Sequence, residues 1–451
     1  PEYSQVANNV WHHSEIPVNV KDALGLPNSD EGIDLLVETK SSDYWSIQCK
    51  FRSDVGRAVT RKELSTFAHL SFNVANGISF GLVLHSADRS IKKSHLLPDI
   101  GELGIQFFQR INKEEWRNIV SLNTDHIDPR SPREHQKEAV DSVVETLESN
   151  APRSKVIMPC GTGKSLTAYW LDQRLQSKLT VVAVPSLYLI SQCLKDWSRE
   201  EFANKNPTQF LVICSDTSVG RSADEFVDST SELGLPVTTD THQIAKFLSI
   251  QNQKKVVFVT YHSGPTLCRA AELANIEFDL AIFDEAHRTV GSREGVFGSL
   301  LLDENFACKK RVFMTATERV IPTFGHDIIS MDDPSLYGSI AYQMSFKKAI
   351  HNNPPIITDY KIVTIAITDQ EIEQFLVSEC DVAVSIKEHS ASIQDLVTAV
   401  AINRLIREKK VSHIISFHKS IGNAQRFAEV QSELFEMDDI DGFASSVSSK
   451  L

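Results

Sequence analysis

The 451-residue chain is predicted to be α/β on three observations. Short Val/Ile/Phe-rich runs recur from residue 154 to 318 between longer polar or helical intervals. Runs of that length fit parallel strands buried on both faces and joined by crossover helices. One run leads into the glycine-lysine turn "MPCGTGKS" and another ends in the acidic "FDEAH". Ahead of them lies a different pattern, in which two strand-like stretches meet at a polar tip and a third follows a helix-like interval.

Composition bounds the rest. With 41% hydrophobic and 23% charged residues the chain can build two or three domains with sizeable cores, which excludes a mostly disordered or fibrous protein. The formal net charge of −13 argues against an all-over basic nucleic-acid binder but permits a local basic groove. Seven scattered cysteines form no close pair, so unbridged thiols in a reducing, cytoplasmic setting are expected. No apolar run approaches the roughly 20 residues needed to cross a bilayer. The start "PEYSQVANN" lacks the order of a signal peptide, and without an initiator Met it reads as processed or trimmed.

Along the chain, residues 1–121 form the first predicted domain. Its strands are "GIDLLVET", "YWSIQCKF" and "ISFGLVLHS", with the helix "TRKELSTFAHLSF" before the last. A polar linker, 122–132, contains "NTDHIDPRSP", whose Asp, Pro and Ser content favours turns. Residues 133–322 carry the predicted strands "SKVIMP", "LTVVAVPS", "QFLVICSD", "KKVVFVTYHS", "FDLAIFDEAH" and "KKRVFMTATE". A new unit is expected over 323–451, with a helix at "SFKKAI", a strand at "YKIVTIAI", helix over 370–410, and a strand and helix in "SHIISFHKSIGNAQRFAEVQSEL".

The glycine-lysine turn has a chemical reading. Gly161 and Gly163 let backbone amides close around phosphate, with Thr162 between them, while Lys164 neutralises charge and Ser165 can ligate Mg2+. Asp284 and Glu285 end an apolar strand, placing one carboxylate to hold Mg2+ through water and the other to orient an attacking water. Alone, either motif reads as a glycine turn or a solvated strand end; together they describe phosphoryl transfer from ATP.

In the first domain, a hairpin tipped by "KSSD" brings Asp34 back beside Lys50. A turn centred between Ser41 and Ser42 sets Asp34 opposite Cys49, with Gln48 and Lys50 sharing a face. A carboxylate can bind a divalent cation, Gln48 can add a carbonyl ligand, and Lys50 can stabilise a phosphorane-like state or help activate water. Taken alone, "QCK" is a solvated strand end. Lys50, Arg52, Arg57, Arg61 and Lys62 read equally as phosphate contacts and as a solvated helix face. His12 and His13 lack an evident ligand set, Cys160 shapes the phosphate turn, and Trp11, Trp45 and Trp170 read as packing residues.

These motifs carry two resemblances. "PREHQ", "GTGKS", "DEAH" and "TAT" resemble superfamily 2 helicases and translocases. That likeness implies a RecA-like domain 1 in which Gln136 recognises adenine beside Arg133, and in which His287, Thr315 and Thr317 couple hydrolysis to movement. It also makes "VPSLYLISQ" and "TYHS" strand-contacting loops and "IISFHKSIGNAQRFAE" the start of an incomplete RecA-like domain 2. The Asp34, Gln48 and Lys50 grouping resembles the PD-(D/E)xK nuclease core in its Mrr-like variant, with Gln48 at a position usually acidic; Glu2 is a candidate upstream acid. The pair resembles the front of type ISP and type I restriction enzymes. It implies an ATP- and Mg2+-dependent translocase on double-stranded DNA with an attached endonuclease, and methyltransferase and target-recognition partners in the same chain or as subunits. Two alternatives stand beside it: a DNA-repair or RNA helicase with a non-cleaving nuclease-like domain, and a nucleotide-gated interaction module without enzymatic turnover.

Overall fold

Two β-sheets, one mixed and one wholly parallel, organise the first 358 residues. The computed structural model describes residues 7–29, 32–40, 42–87, 91, 99–109, 111, 113, 116–117, 128–149, 151–214, 236–250, 253–292, 298–321, 328–360, 362, 364–368, 370, 393–409, 411, 413–418, 420–437 and 444–445. The N-terminal sheet comprises β1 (Ala7–His12), β2 (Leu35–Thr39), β3 (Tyr44–Lys50), β4 (Ile78–His85) and β5 (Ile100–Leu103), in that spatial order. The β1/β2 and β2/β3 pairs are antiparallel, whereas β3/β4 and β4/β5 are parallel. A parallel step requires a crossover. After the short α1 (Val18–Leu24), α2 (Arg61–His69) supplies it between β3 and β4.

The start of α2 is fixed by Glu63, whose carboxylate accepts from the Thr60 backbone N–H at 2.9 Å and the Thr60 hydroxyl at 2.6 Å. Leu64 and Phe67 then turn onto the sheet, where they are buried with Leu36 and Val83. Gly81 makes room for them: a Cβ there would stand 3.1 Å from the Phe67 ring. Burying Phe67 contributes on the order of 2 kcal/mol. The opposite face buries Val37, Trp45, Ile47, Phe80 and Leu82. Trp45 packs edge-on to Phe80, as a packing residue. A short α3 (Ile105–Gln109) follows β5.

The hairpin register differs from the expectation by one residue. Leu35 pairs with Ile47 and Val37 with Trp45, so Asp34 falls opposite Gln48 and not Cys49. The tip is tightened by Thr39, whose side-chain oxygen accepts from Asp43 N–H at 3.1 Å while its carbonyl accepts from Ser42 N–H at 2.9 Å. In a sheet a one-residue slip exchanges faces, and here it aligns Asp34 with the Gln48 side of β3.

The second sheet follows α4 (Glu134–Glu148). It contains β6 (Arg153–Ile157), β7 (Leu179–Val184), β8 (Thr208–Ile213), β9 (Lys254–Thr260), β10 (Phe278–Phe283), β12 (Cys308–Thr315) and β14 (Ser339–Gln343). The spatial order is β14-β6-β12-β10-β7-β9-β8, and every pairing is parallel. The crossovers include α5 (Lys164–Leu175), α6 (Leu187–Ala203), α7 (Thr241–Ser249) and α8 (Gly264–Ala274). A two-stranded pair joins β11 (Gly291–Ser292) to β13 (Ile328–Ile329), and α9 (Pro334–Tyr337) and α10 (Phe346–His351) flank β14. All six strands anticipated over 133–322 form. Residues past 322 do not open a separate layer at once, because β14 extends the edge of this same sheet and the compact unit runs to Thr358.

The second unit consists mainly of Asp359–Leu451. Its helices α11 (Ile393–Lys409) and α12 (Ile421–Met437) pack through Ala399, Phe427, Val430 and Leu434. The strands expected at "YKIVTIAI" and "SHIISF" are not formed among the described residues; 364–368 and 413–418 belong to no strand, and Ile415 and Phe417 are exposed. No helix among the described residues is long and apolar enough to cross a membrane.

Candidate functional site

The phosphate turn grows out of β6. Met158 N–H continues the ladder to Thr315 O at 2.9 Å, and the chain then leaves the sheet through Gly161 and Gly163, at φ +81° and +84°. Residues with a Cβ pay to enter that left-handed region, so the two glycines fix the curl of the loop at little cost. Lys164 and Ser165 open α5, with the helix N-terminus directed into the loop. The Lys164 side chain is 9% exposed, and its ammonium lies 3.5 Å from Glu285 Oε1 and 3.4 Å from Met158 O. The turn and the β10 strand end are thus brought together.

Asp284 and Glu285 leave β10 side by side. Asp284 N–H donates to Ala183 O at 2.9 Å, which continues the sheet by one residue, and the Asp284 carboxylate caps Glu285 N–H at 3.0 Å. Burial, then the adjacent Glu285 charge, pushes the Asp284 carboxyl up to about 6 against the pull of Lys164. Glu285 itself sits at φ +50°, a left-handed conformation that costs a side-chain-bearing residue roughly 1 kcal/mol and aims its carboxylate back across the loop. Tyr261, stacked on Phe283, donates its hydroxyl to Asp284 O at 2.6 Å and holds the strand end from below.

His287, Thr315 and Thr317 are joined. Thr315 gives its single hydroxyl proton to Thr317 O at 2.9 Å, so at the 3.0 Å contact with His287 Nδ1 it can only accept. Nδ1 therefore carries the proton, and it also points to Glu285 Oε2 at 3.3 Å. Burial lowers the His287 pKa below its ordinary value, with Glu285 opposing. A chain of polar contacts thus runs from Lys164 through Glu285 and His287 to the "TAT" segment.

Gln136 and Arg133 lie at the start of α4. Gln136 Oε1 accepts from Arg133 N–H at 2.9 Å, and its Nε2 donates to Thr162 O and Gly163 O at 3.3 and 3.2 Å. Here the amide straps the phosphate turn, and Arg133 is exposed beside it. His135 was not anticipated: buried, it places Nε2 3.0 Å from Thr162 O. The "PREHQ" string contains it, but nothing in the spacing separates it from a core residue. Of the expected strand-contacting loops, Tyr188 and His262 are exposed, while Tyr261 is buried.

The second cluster sits on the α2 side of the N-terminal sheet. Ser46, whose hydroxyl meets that of Ser71 at 2.7 Å, marks this face; Gln48 and Lys50 follow on the same side at period two. Asp34 is held by its backbone, N–H to Ile47 O at 2.9 Å and O from His13 N–H at 3.0 Å. Its carboxylate accepts from Cys49 N–H at 2.6 Å through one oxygen. Gln48 is 3% exposed, and its Oε1 has no hydrogen-bond partner among the described residues. A buried amide oxygen without a donor is costly, and beside a carboxylate it fits a divalent cation with oxygen ligands. No group of three or more His, Cys, Asp or Glu able to hold a metal occurs among the described residues. Glu2 lies outside them.

Two further features of this face carried no sequence signal. His85, the Cα partner of Lys50 on β4, contacts Glu102 at 3.0 Å, and both are buried. Arg52 is not available as a phosphate contact: it pairs with Glu63 at 2.6 Å, which holds that carboxyl down at about 2, with the Thr60 bonds adding to the effect.

Comparison with known proteins follows this division. Residues 1–95 match a restriction endonuclease family of the Mrr catalytic type, and residues 130–319 match the family of the type III restriction enzyme res subunit. The type I restriction enzyme EcoAI endonuclease subunit of Escherichia coli is 23% identical over 243 residues, covering 53% of this chain and 24% of that protein. The solved structure of the ATP-dependent type ISP restriction-modification enzyme LlaBIII bound to DNA superposes with a TM-score of 0.73 at 24% identity, covering 96% of this chain and 30% of that one. The chain therefore spans only 24% and 30% of the length of these two relatives.

Proposed function

Starting from a chain that fuses an Mrr-like PD-(D/E)xK nuclease domain to a superfamily 2 helicase/translocase domain, we propose that it couples ATP-driven translocation on double-stranded DNA to Mg2+-dependent phosphodiester cleavage within a restriction enzyme. The observation that carries this reading is the occurrence, in one compact unit, of the Lys164–Glu285 contact and of Asp34 aligned with Gln48 and Lys50.

In the motor, backbone amides of Gly161 to Lys164 and the Lys164 ammonium cradle the ATP phosphates. Ser165 and Asp284 would hold Mg2+, which neutralises charge developing on the phosphate oxygens. Glu285 orients the attacking water, and to do so it leaves Lys164 for the nucleotide. His287, hydrogen-bonded to Thr315 and facing Glu285, transmits that movement to the "TAT" segment. Gln136 recognises adenine with Arg133 alongside, which requires it to release part of its grip on the Thr162 and Gly163 carbonyls.

In the nuclease, Asp34 and Gln48 would hold the metal, and Lys50 stabilises the pentacovalent phosphorus and helps position water. Water attacks phosphorus, one P–O ester bond breaks, and the departing oxygen takes up a proton. The associated domain scheme is a nuclease over 1–121, a linker over 122–132, a RecA-like lobe from 133, and a second lobe that begins past Thr358. A cytoplasmic location goes with this reading, as do methyltransferase and target-recognition partners, supplied by the same polypeptide or by separate subunits.

The test compares wild type, Lys164→Ala and Asp34→Ala on long linear duplex DNA with Mg2+ and ATP. Lys164→Ala should abolish DNA-stimulated ATP hydrolysis, and Asp34→Ala should abolish cutting while hydrolysis persists. Stimulation by RNA alone would sink the duplex-motor assignment, and unchanged cutting by Asp34→Ala would sink the nuclease centre.

A further inference from the structure

Thr162, Ser165 and Thr167 bring three hydroxyls to the phosphate turn, and two of them are spent within it. Thr162 Oγ1 donates to Pro159 O at 2.7 Å. Thr167 Oγ1 donates to Gly163 O at 3.1 Å, the bond to the carbonyl four residues back that a Thr or Ser in a helix can make. Ser165 Oγ does otherwise, donating across to Cys193 Sγ on α6 at 3.6 Å. A hydroxyl has one hydrogen and two lone pairs. With the hydrogen given to sulfur, both lone pairs of Ser165 stay free, which is what a hard cation requires of an oxygen ligand.

The main chain of the same residue is held by the same helix, because Trp197 Nε1–H donates to Ser165 O at 3.3 Å. Cys193, Trp197 and Glu200 recur at i, i+4 and i+7, so they share one face of α6, and all three are buried. The Trp197 ring packs edge-on to both Tyr169 of α5 and Phe258 of β9. Further along, Glu200 accepts from Arg130 N–H at 2.9 Å and Asp196 pairs with the Arg130 guanidinium at 2.9 Å, which anchors the second half of α6. Burial, then the Asp284 charge, pushes the Cys193 thiol up to about 12, so the sulfur meets Ser165 as a neutral acceptor.

Resting on the ATP-site reading above, we propose that Cys193 and Trp197 are positioning residues for Mg2+, which from one face of α6 fix the hydroxyl and the carbonyl of Ser165 so that its oxygen is set for the metal in advance. Neither side chain touches nucleotide or metal in this role. Partners that orient a metal ligand change metal affinity by about ten- to a hundredfold when removed. The consequence is a motor whose Mg2+ affinity depends on a helix that contributes no ligand of its own.

The experiment uses the 451-residue chain with ADP, and Mn2+ in place of Mg2+ so that bound and free metal are separated by electron paramagnetic resonance. Cys193→Ala and Trp197→Phe, which keeps most of the ring's bulk and loses the donor, should each weaken Mn2+ binding about tenfold. The affinity for a fluorescent ADP analogue in EDTA should stay at the wild-type value in both. Cys193→Ser, which keeps an acceptor, should retain most of the Mn2+ affinity. Wild-type Mn2+ affinity in either Cys193→Ala or Trp197→Phe overturns the proposal. So does an equal loss of metal-free ADP affinity, since α6 would then support the whole turn and not the metal ligand. Failure of the ATP-site reading registers separately, as Ser165→Ala that binds Mn2+ like wild type or Lys164→Ala that binds ADP like wild type.

Discussion

Gln48 should be a residue the fold holds at a cost to stability, and replacing it by Met separates the two roles. The side chain is 3% exposed, its Oε1 meets no donor, and its Nε2 lies 3.3 Å from where a Cβ on Gly32 would stand. An unsatisfied buried acceptor costs roughly 1–3 kcal/mol, and Met is of similar length and unbranched. Allowing for lost contacts of the amide nitrogen, Gln48→Met should stabilise the N-terminal sheet by about 1 kcal/mol in metal-free buffer. The same change removes a proposed ligand. Wild type at a Mg2+ concentration tenfold above its Kd should gain about 1.4 kcal/mol, and the variant should gain nothing. Native-state hydrogen exchange of the β3 amides, read by mass spectrometry with and without Mg2+, measures both effects locally and does not require the whole chain to unfold in one step. Faster β3 exchange in metal-free Gln48→Met, or Mg2+ protection equal to wild type, would refute the reasoning.

Three further outcomes are expected. Gly163→Ala places a Cβ at φ +84° and 2.5 Å from Gln136 Nε2; nucleotide affinity should fall at least about tenfold with the fold retained, by titration with a fluorescent ATP analogue. Glu63 has its folded pKa depressed from 4.5 to about 2, so its contribution is complete above pH 4.5 and is lost as pH falls towards 2. Because the carboxylate is a third exposed, Glu63→Gln should cost only about 1 kcal/mol at pH 7. That cost should be seen as faster exchange of the first turn of α2, and the difference should shrink as the pH is lowered through that window. Thr315→Ala removes the acceptor for His287; nucleotide binding should survive while displacement of a third strand from duplex DNA falls much further than ATP hydrolysis, and equal losses would remove the coupling role.

What could be read from sequence follows physical lines. Six of the seven strands of the parallel sheet were legible because a strand buried on both faces is apolar throughout, as in "LTVVAV" and "VVFV". β6 was legible despite Arg153 and Lys155: carbonyls of Leu301, Leu336 and Met331 accept from these buried cations, and Asp303 and Glu318 pair with them, all from distant segments that no local pattern records. β1 was missed because an exposed edge strand, "ANNVWH", needs no alternation. The hairpin was legible but its register was not, since Thr39 sets the turn through its side chain. The fixing of Arg52 by Glu63 was hidden too, because a charge count does not reveal which charges are already spent on each other.

The two sites share a rule that explains why so much chemistry sits in so few residues. The phosphate turn follows β6, Asp284 and Glu285 follow β10, and Thr315 ends β12, all at the carboxyl end of one parallel sheet. Gln48 and Lys50 lie at the carboxyl end of β3, and His85 at that of β4, where the N-terminal sheet is parallel as well. At such an end the ladder stops, leaving side chains anchored by a stiff strand yet facing space that helices do not fill. The antiparallel β2 then brings Asp34, near its amino end, to the same place. In this way a hairpin adds a carboxylate to a parallel strand's exit. A single inserted residue in the β2–β3 turn should therefore abolish cutting while leaving ATP hydrolysis intact, because it would turn Asp34 to the other face without touching the motor.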